Sequence, residues 1–288
     1  MDILLIIKSI AILLAVVVLI LFFVYREKDV EHLSIGAKIK TSIMGLVANI
    51  GDTFGVGSFA SIIAMRRIFG IMPDEANLIG SMNLQAMVTA LVQALIFLHF
   101  VNVDLVTLTV SCVMIALGGM VSGFVAVNVS RNFIRKVMFL AFCVTGVILL
   151  LSQLGVFTVN NVGNGLTGYK LVIFAIFMFI SGLLPAFGVG YYSLVQIFIF
   201  IMGANPIIAF PIMATASAFQ MPATSVPFVI KRKFYFTSTL LLMVFGTIGV
   251  FMAAPLIANV NSYYLKWILF IVILYNIIML SRTRTIKK

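Results

Sequence analysis

The residues best equipped for chemistry lie together in Asn49-Ile50-Gly51-Asp52-Thr53-Phe54-Gly55-Val56-Gly57-Ser58, three glycines and one carboxylate inside an otherwise apolar stretch. A carboxylate in apolar surroundings is costly unless it is paired, hydrated or protonated. Asp52 therefore has three open readings: a group that exchanges a coupling proton, a cap for the local turn, or an ion-pair partner of Arg66 or Arg67. Glycines favour broken backbone over continuous helix. A helix restarting near Ser58 would point unpaired N–H groups and partial positive charge at whatever lies beyond it. That chemistry suits an anion, with Gly55 and Gly57 admitting close backbone approach. The glycines also fit a plainer role in tight turns and helix packing, and the two roles are compatible. Asn49, Thr53 and Ser58 are near enough in sequence to line the same cavity.

The same signature occurs again 133 positions later. Phe54-Gly55-Val56-Gly57 matches Phe187-Gly188-Val189-Gly190, and Pro73, Ala76 and Ile79 match Pro206, Ala209 and Ile212 at that offset. Seven identities without a gap point to internal duplication. Farther on, Asn128-Val129 with Phe133, Arg135 and Phe139 resembles Asn259-Val260 with Tyr264, Lys266 and Phe270, at an offset two residues shorter. In the second copy Gly188, Gly190, Tyr191, Tyr192, Ser193 and Gln196 occupy the stretch equivalent to the first tip, and a helix is predicted to begin near Tyr191.

The segments after each tip are polar for lipid-facing helices: Ser81, Asn83, Gln85 and Gln93 in one, Thr215, Ser217, Gln220, Thr224 and Ser225 in the other. Isolated Ser and Thr usually serve interhelical hydrogen bonds, so Asn83, Gln85, Thr215 and Gln220 are kept as site candidates. Pro222 and Pro227 are expected to bend the second segment. Gly118, Gly119 and Gly123, with Gly246 and Gly249, read as helix-packing surfaces. Neither His32 nor His99 has a nucleophilic partner in a recognisable motif, and Cys112 and Cys143 lie inside apolar runs without metal-ligand spacing. No enzyme, cofactor or metal site is predicted.

The elements that must hold these residues are membrane helices. Of 288 residues, 63% are hydrophobic and 9% charged, far from the roughly 25% charged residues of soluble domains. The run from Ile3 to Val24 is about 33 Å long as a helix, enough to span a bilayer. It passes directly into a charged connector and is read as a retained helix, not a cleaved signal. The net charge of +11 is scattered between apolar runs and forms no single face, which argues against nucleic acid.

Of the 19 Lys and Arg residues, 16 fall in clusters: Arg26, Lys28, Lys38 and Lys40; Arg66 and Arg67; Arg131, Arg135 and Lys136; Lys231, Arg232 and Lys233; Arg282, Arg284, Lys287 and Lys288. The connectors His99 to Asp104, Val156 to Tyr169 and Ile257 to Tyr264 hold none and are expected outside, where Tyr263, Tyr264 and Trp267 would anchor the interface. The segment between Thr41 and Ala64 is basic at both ends, so it must enter and leave on one side, as a re-entrant helical hairpin surrounded by protein or a watery cavity. The predicted fold is all-α and polytopic. An N-terminal transmembrane helix with its basic cytoplasmic connector (1–40) precedes two inverted repeats, 41–155 and 171–281. Each repeat is a hairpin plus three transmembrane helices. An outer linker (156–170) joins them and a basic tail (282–288) follows, with the N-terminus outside and the C-terminus cytoplasmic. Paired broken helices of opposite orientation are a transporter design.

The Gly-x-Gly tip, the proline sixteen residues after its second glycine and the following Ala76-x-x-x-Gly80-Ser81 resemble the sulfite exporter TauE/SafE family, over roughly residues 40 to 281. The resemblance implies a secondary transporter in a bacterial cytoplasmic membrane that moves sulfite, a sulfonate or a related organic anion, coupled to protons. The chain departs from the family at Ser58-Phe59 and Tyr191-Tyr192, where further glycines are common, and at Met213-Ala214-Thr215, where Gly-Thr-Ser is typical. Larger side chains beside the tips would narrow the cavity or supply hydroxyls for a different anion. A passive anion channel and a non-transporting membrane assembly partner are the alternatives.

Overall fold

The fold is that of a computed structural model, which describes residues 3–26, 33–128, 130–156 and 163–259, together with 267, 270, 271, 273–278 and 281. Among these residues it is all-helical, with no strands. Five helices are long and apolar enough to cross a membrane, Ile3–Val24, Glu75–Phe100, Leu105–Ala126, Tyr169–Phe187 and Phe236–Leu256, the pattern of a multi-pass membrane protein. Tyr263, Tyr264 and the tail from Arg282 lie outside the described residues, as do Lys28 and His32.

In chain order the helices are α1 (Ile3–Val24), α2 (Ile35–Thr53), α3 (Ser58–Phe69), α4 (Glu75–Phe100), α5 (Leu105–Ala126), α6 (Arg131–Gln153), α7 (Tyr169–Leu183), α8 (Tyr192–Ile201), α9 (Ala209–Ile230) and α10 (Phe236–Ala253). Their starts follow local chemistry. Ser34, Asp74 and Asp104 each accept a hydrogen bond from the backbone N–H three residues on, capping α2, α4 and α5. α3 closes on Gly70 in the left-handed region, with Arg66 and Arg67 in its last turn, where cations complement the helix dipole.

α4 and α9 pack against each other at the centre, α5 packs on α9 and α7, and α10 packs on α2 and α4. α9 runs through Pro222 and Pro227 as one helix, so the bend expected there is not a break. Glycines set the closest approaches. A side chain at Gly249 would meet the Leu46 carbonyl of α2 at 2.6 Å, and one at Gly118 would meet the Phe179 carbonyl of α7 at 2.1 Å. α1 lies against α9 and buries Ile7, Ala11, Ala15, Val18 and Phe22, with Phe22 stacked on Phe236 at the start of α10.

Candidate functional site

The chain breaks twice between helices, at residues 54–57 between α2 and α3 and at 184–191 between α7 and α8, the second break containing a short 3-10 turn, Pro185–Phe187. The first break is stabilised by Asp52. Its Oδ1 accepts a hydrogen bond from the Ser58 backbone N–H at 2.6 Å, so a carboxylate sits on the first N–H of α3. Its Oδ2 accepts from Gln93 Nε2 of α4 at 3.0 Å. Of the three readings of Asp52, the geometry realises the cap. Arg66 turns instead to the Met72 and Pro73 carbonyls and to Glu75, and Arg67 donates to Asn276.

The two breaks converge. Gly57, Ser58 and Phe59 from the start of α3, Gly190, Tyr191 and Tyr192 from the start of α8, Asp52, and Ala86, Ser217 and Met221 from α4 and α9 surround a cavity of about 10 Å³. A second cavity of about 20 Å³ is also bordered by Gly57 and Gly190, together with Phe142 and Thr145 of α6 and Ile273. Each has room for about one water-sized sphere. Gly57, Gly190 and Tyr192 border both.

Hydrogen bonds tie the cavity walls together. Tyr192 Oη donates to Gln93 Oε1 at 3.3 Å, and Gln93 Nε2 also reaches Thr53 Oγ1. This links α8 through α4 to the α2 terminus. Tyr191 Oη and Ser217 Oγ are hydrogen-bonded. Ser58 Oγ lies on a residue only 1% exposed, beside the Asp52 carboxylate, and has no other hydrogen-bond partner among the described residues.

The remaining candidates separate into two groups. Thr53 donates to the Asn49 carbonyl, Gly55 has φ +88° with Gln196 Oε1 at 3.4 Å from where its Cβ would be, and Gly188 closes the 3-10 turn at φ +79°. These shape the breaks. Asn49 and Gln85 bond to each other at 3.0 Å, and a side chain at Gly246 of α10 would strike Asn49. Gln220 donates to the Gly182 carbonyl and to Thr224, beside Gly119 of α5. Asn83 donates to the Pro185 carbonyl. Asn49, Gln85 and Gln220 thus lie in helix interfaces, not in the cavity wall. Asn49 Oδ1, Gln85 Nε2, Asn83 Oδ1, Gln220 Oε1 and Thr215 Oγ1 are nonetheless buried without partners among the described residues. The side chain of Ser193 lies outside the described residues.

Gln93 and Ser217, which are not among the site candidates kept from the sequence, meet the site directly. The available signal for Gln93 was the second oxygen of a buried carboxylate, which needs a donor from a neighbouring helix. Among the described residues no group of three His, Cys, Asp or Glu side chains is placed to hold a metal ion. Compared with known proteins, the chain matches no family model, no curated protein and no solved structure.

Proposed function

We propose that this chain is a secondary transporter for a small sulfur-containing anion, such as sulfite, a sulfonate or a related organic anion, in a bacterial cytoplasmic membrane, with Asp52 exchanging the coupling proton. One observation carries the reading: the starts of α3 and α8 face a single small cavity. Two helix N-termini bordering one cavity supply N–H groups and together about one positive charge. Ser58, Tyr191 and Ser217 add hydroxyls to the same wall. The sulfur-anion class comes from the resemblance to the TauE/SafE family carried by the paired Gly-x-Gly tips.

The inverted-repeat topology belongs to this proposal. It is supported by equivalent packing in the two halves: Gly118 meets the carbonyl of Phe179 as Gly249 meets that of Leu46, at offsets of 131 and 133 residues, the two offsets of the sequence repeat. In that arrangement the two hairpins enter from opposite faces, and rocking one half against the other exposes the shared site alternately. A passive channel needs a continuous water path, and cavities of about 10 and 20 Å³ favour a carrier instead.

Flux into proteoliposomes under an imposed pH gradient tests the function, with saturable uptake expected for at least one of sulfite, sulfonates, thiosulfate and small carboxylates. Immobility of all four removes the substrate class. Labelling of single cysteines placed at Arg66 and Lys231 tests the topology, and both are expected to react from the cytoplasmic side.

A further inference from the structure

Resting on the transport reading above, we infer that the site between the two breaks accepts a monoanion together with one proton and excludes dianions, so that a transport cycle carries no net charge. The charge inventory of the walls carries this. Among the described residues, Asp52 is the charged side chain at the first cavity, the second has none, and no Lys, Arg or His borders either. The groups that face Asp52 are the Ser58 N–H and hydroxyl from α3, the Gln93 amide from α4 and, from the start of α8, the phenols of Tyr191 and Tyr192. None is a cation.

Positive potential comes instead from two helix starts, α3 with 12 residues and α8 with 10, each equivalent to about half a charge. The α3 start already faces the Asp52 carboxylate at 2.6 Å. A substrate anion entering the cavity sits beside that carboxylate, and two like charges roughly 4 Å apart at an effective dielectric of about 20 weaken binding by about a thousandfold. A proton on Asp52 removes this repulsion and leaves the two helix ends to balance one negative charge. A dianion leaves one charge uncompensated even then.

A ligand at this place is indicated independently of the helix ends. Ser58 Oγ is buried and borders the cavity beside the Asp52 carboxylate, and among the described residues it has no other partner, so a proton on Asp52 frees that hydroxyl, which as a buried donor then needs an acceptor. Its donor fits an oxyanion. The proton is taken up by Asp52 with the anion on one side of the membrane and released to water with it on the other, so charge and protons balance over the cycle.

The test uses the purified full chain in proteoliposomes, with methanesulfonate as a permanent monoanion and sulfate as a tetrahedral dianion, and membrane potential set by potassium and valinomycin. Saturable methanesulfonate flux that changes less than about twofold between zero and large negative potential, with sulfate at least a hundredfold slower, is the expected result. In Asp52→Asn no proton accompanies the anion, and methanesulfonate flux is expected to change tenfold or more with potential. Wild-type flux that itself changes tenfold with potential, or sulfate moving within tenfold of methanesulfonate, overturns the inference and leaves the transport reading standing. Failure of both anions to move saturably overturns the inference, and the transport reading falls with it only where sulfite, thiosulfate and small carboxylates are immobile as well. The wild-type measurements decide the matter even if Asp52→Asn does not fold.

Discussion

Replacing Gly57 and Gly190 by alanine, one at a time, separates a backbone requirement from a requirement for space. Gly57 has φ +83°, and a Cβ built on it meets nothing within 4 Å. An alanine there is strained by about 1–2 kcal/mol through its backbone alone, which lowers Tm by roughly 2–6 °C in a chain of this size. Gly190 is not in the left-handed region, and its Cβ would meet only the Phe59 Cβ, at 3.7 Å, an ordinary contact. Gly190→Ala is therefore expected to unfold within about 0.5 kcal/mol of wild type. Its methyl nevertheless enters the wall shared by two cavities of about 10 and 20 Å³, each with room for about one water-sized sphere. Loss of that space should slow anion flux at least about tenfold, the effect of roughly 1.4 kcal/mol on a barrier. Thermal unfolding in detergent and proteoliposome flux, measured on the same preparations, give the two readouts. A Gly190→Ala protein as destabilised as Gly57→Ala, or one transporting at the wild-type rate, refutes the reasoning.

Three further substitutions test how the site is held. Gly118→Ala places a methyl about 1.3 Å inside the 3.4 Å at which ordinary contact with the Phe179 carbonyl begins, an overpacking of about 1–3 kcal/mol. A smaller loss is expected for Gly249→Ala, and a Gly118→Ala protein with unchanged Tm would show the α5 and α7 interface to be looser than described. Gln93→Met removes a donor to Asp52 Oδ2 and the acceptor of Tyr192, for an expected loss of about 2–3 kcal/mol. In the double variant Asp52→Asn/Gln93→Met the losses should fall short of additivity by at least about 1 kcal/mol, and a strictly additive cycle would deny the coupling. Glu75→Gln weakens the buried Arg66 pair at 3.4 Å. Because Arg66 keeps the Met72 and Pro73 carbonyls, the loss should stay at about 2 kcal/mol, below the 3–5 kcal/mol of an abandoned buried charge; urea unfolding of the detergent-solubilised variant measures it.

Much of the architecture was legible because membrane helices and their interruptions are written in residue type. The apolar runs mark the spans, and the two Gly-x-Gly stretches mark the breaks, with α3 starting at Ser58 as predicted and α8 at Tyr192, one residue later. Which way each polar residue points was not legible. α4 and α9 are buried around most of their surface, so their polar residues obey no amphipathic period from which a facing side could be read. Gln85 and Gln93 lie two turns apart on α4, yet one bonds to Asn49 in a helix interface and the other to Asp52 at the cavity. Asp52 was ambiguous for a different reason. In the sequence, capping and proton exchange stand as separate readings, whereas the carboxylate that holds the α3 start also borders the cavity. One group can then do both, because the cap bond is strongest when the carboxylate is ionised. Under the proposed mechanism a proton arriving with the substrate would weaken the bond that closes the first break, so that loading the site and loosening the break would be the same event.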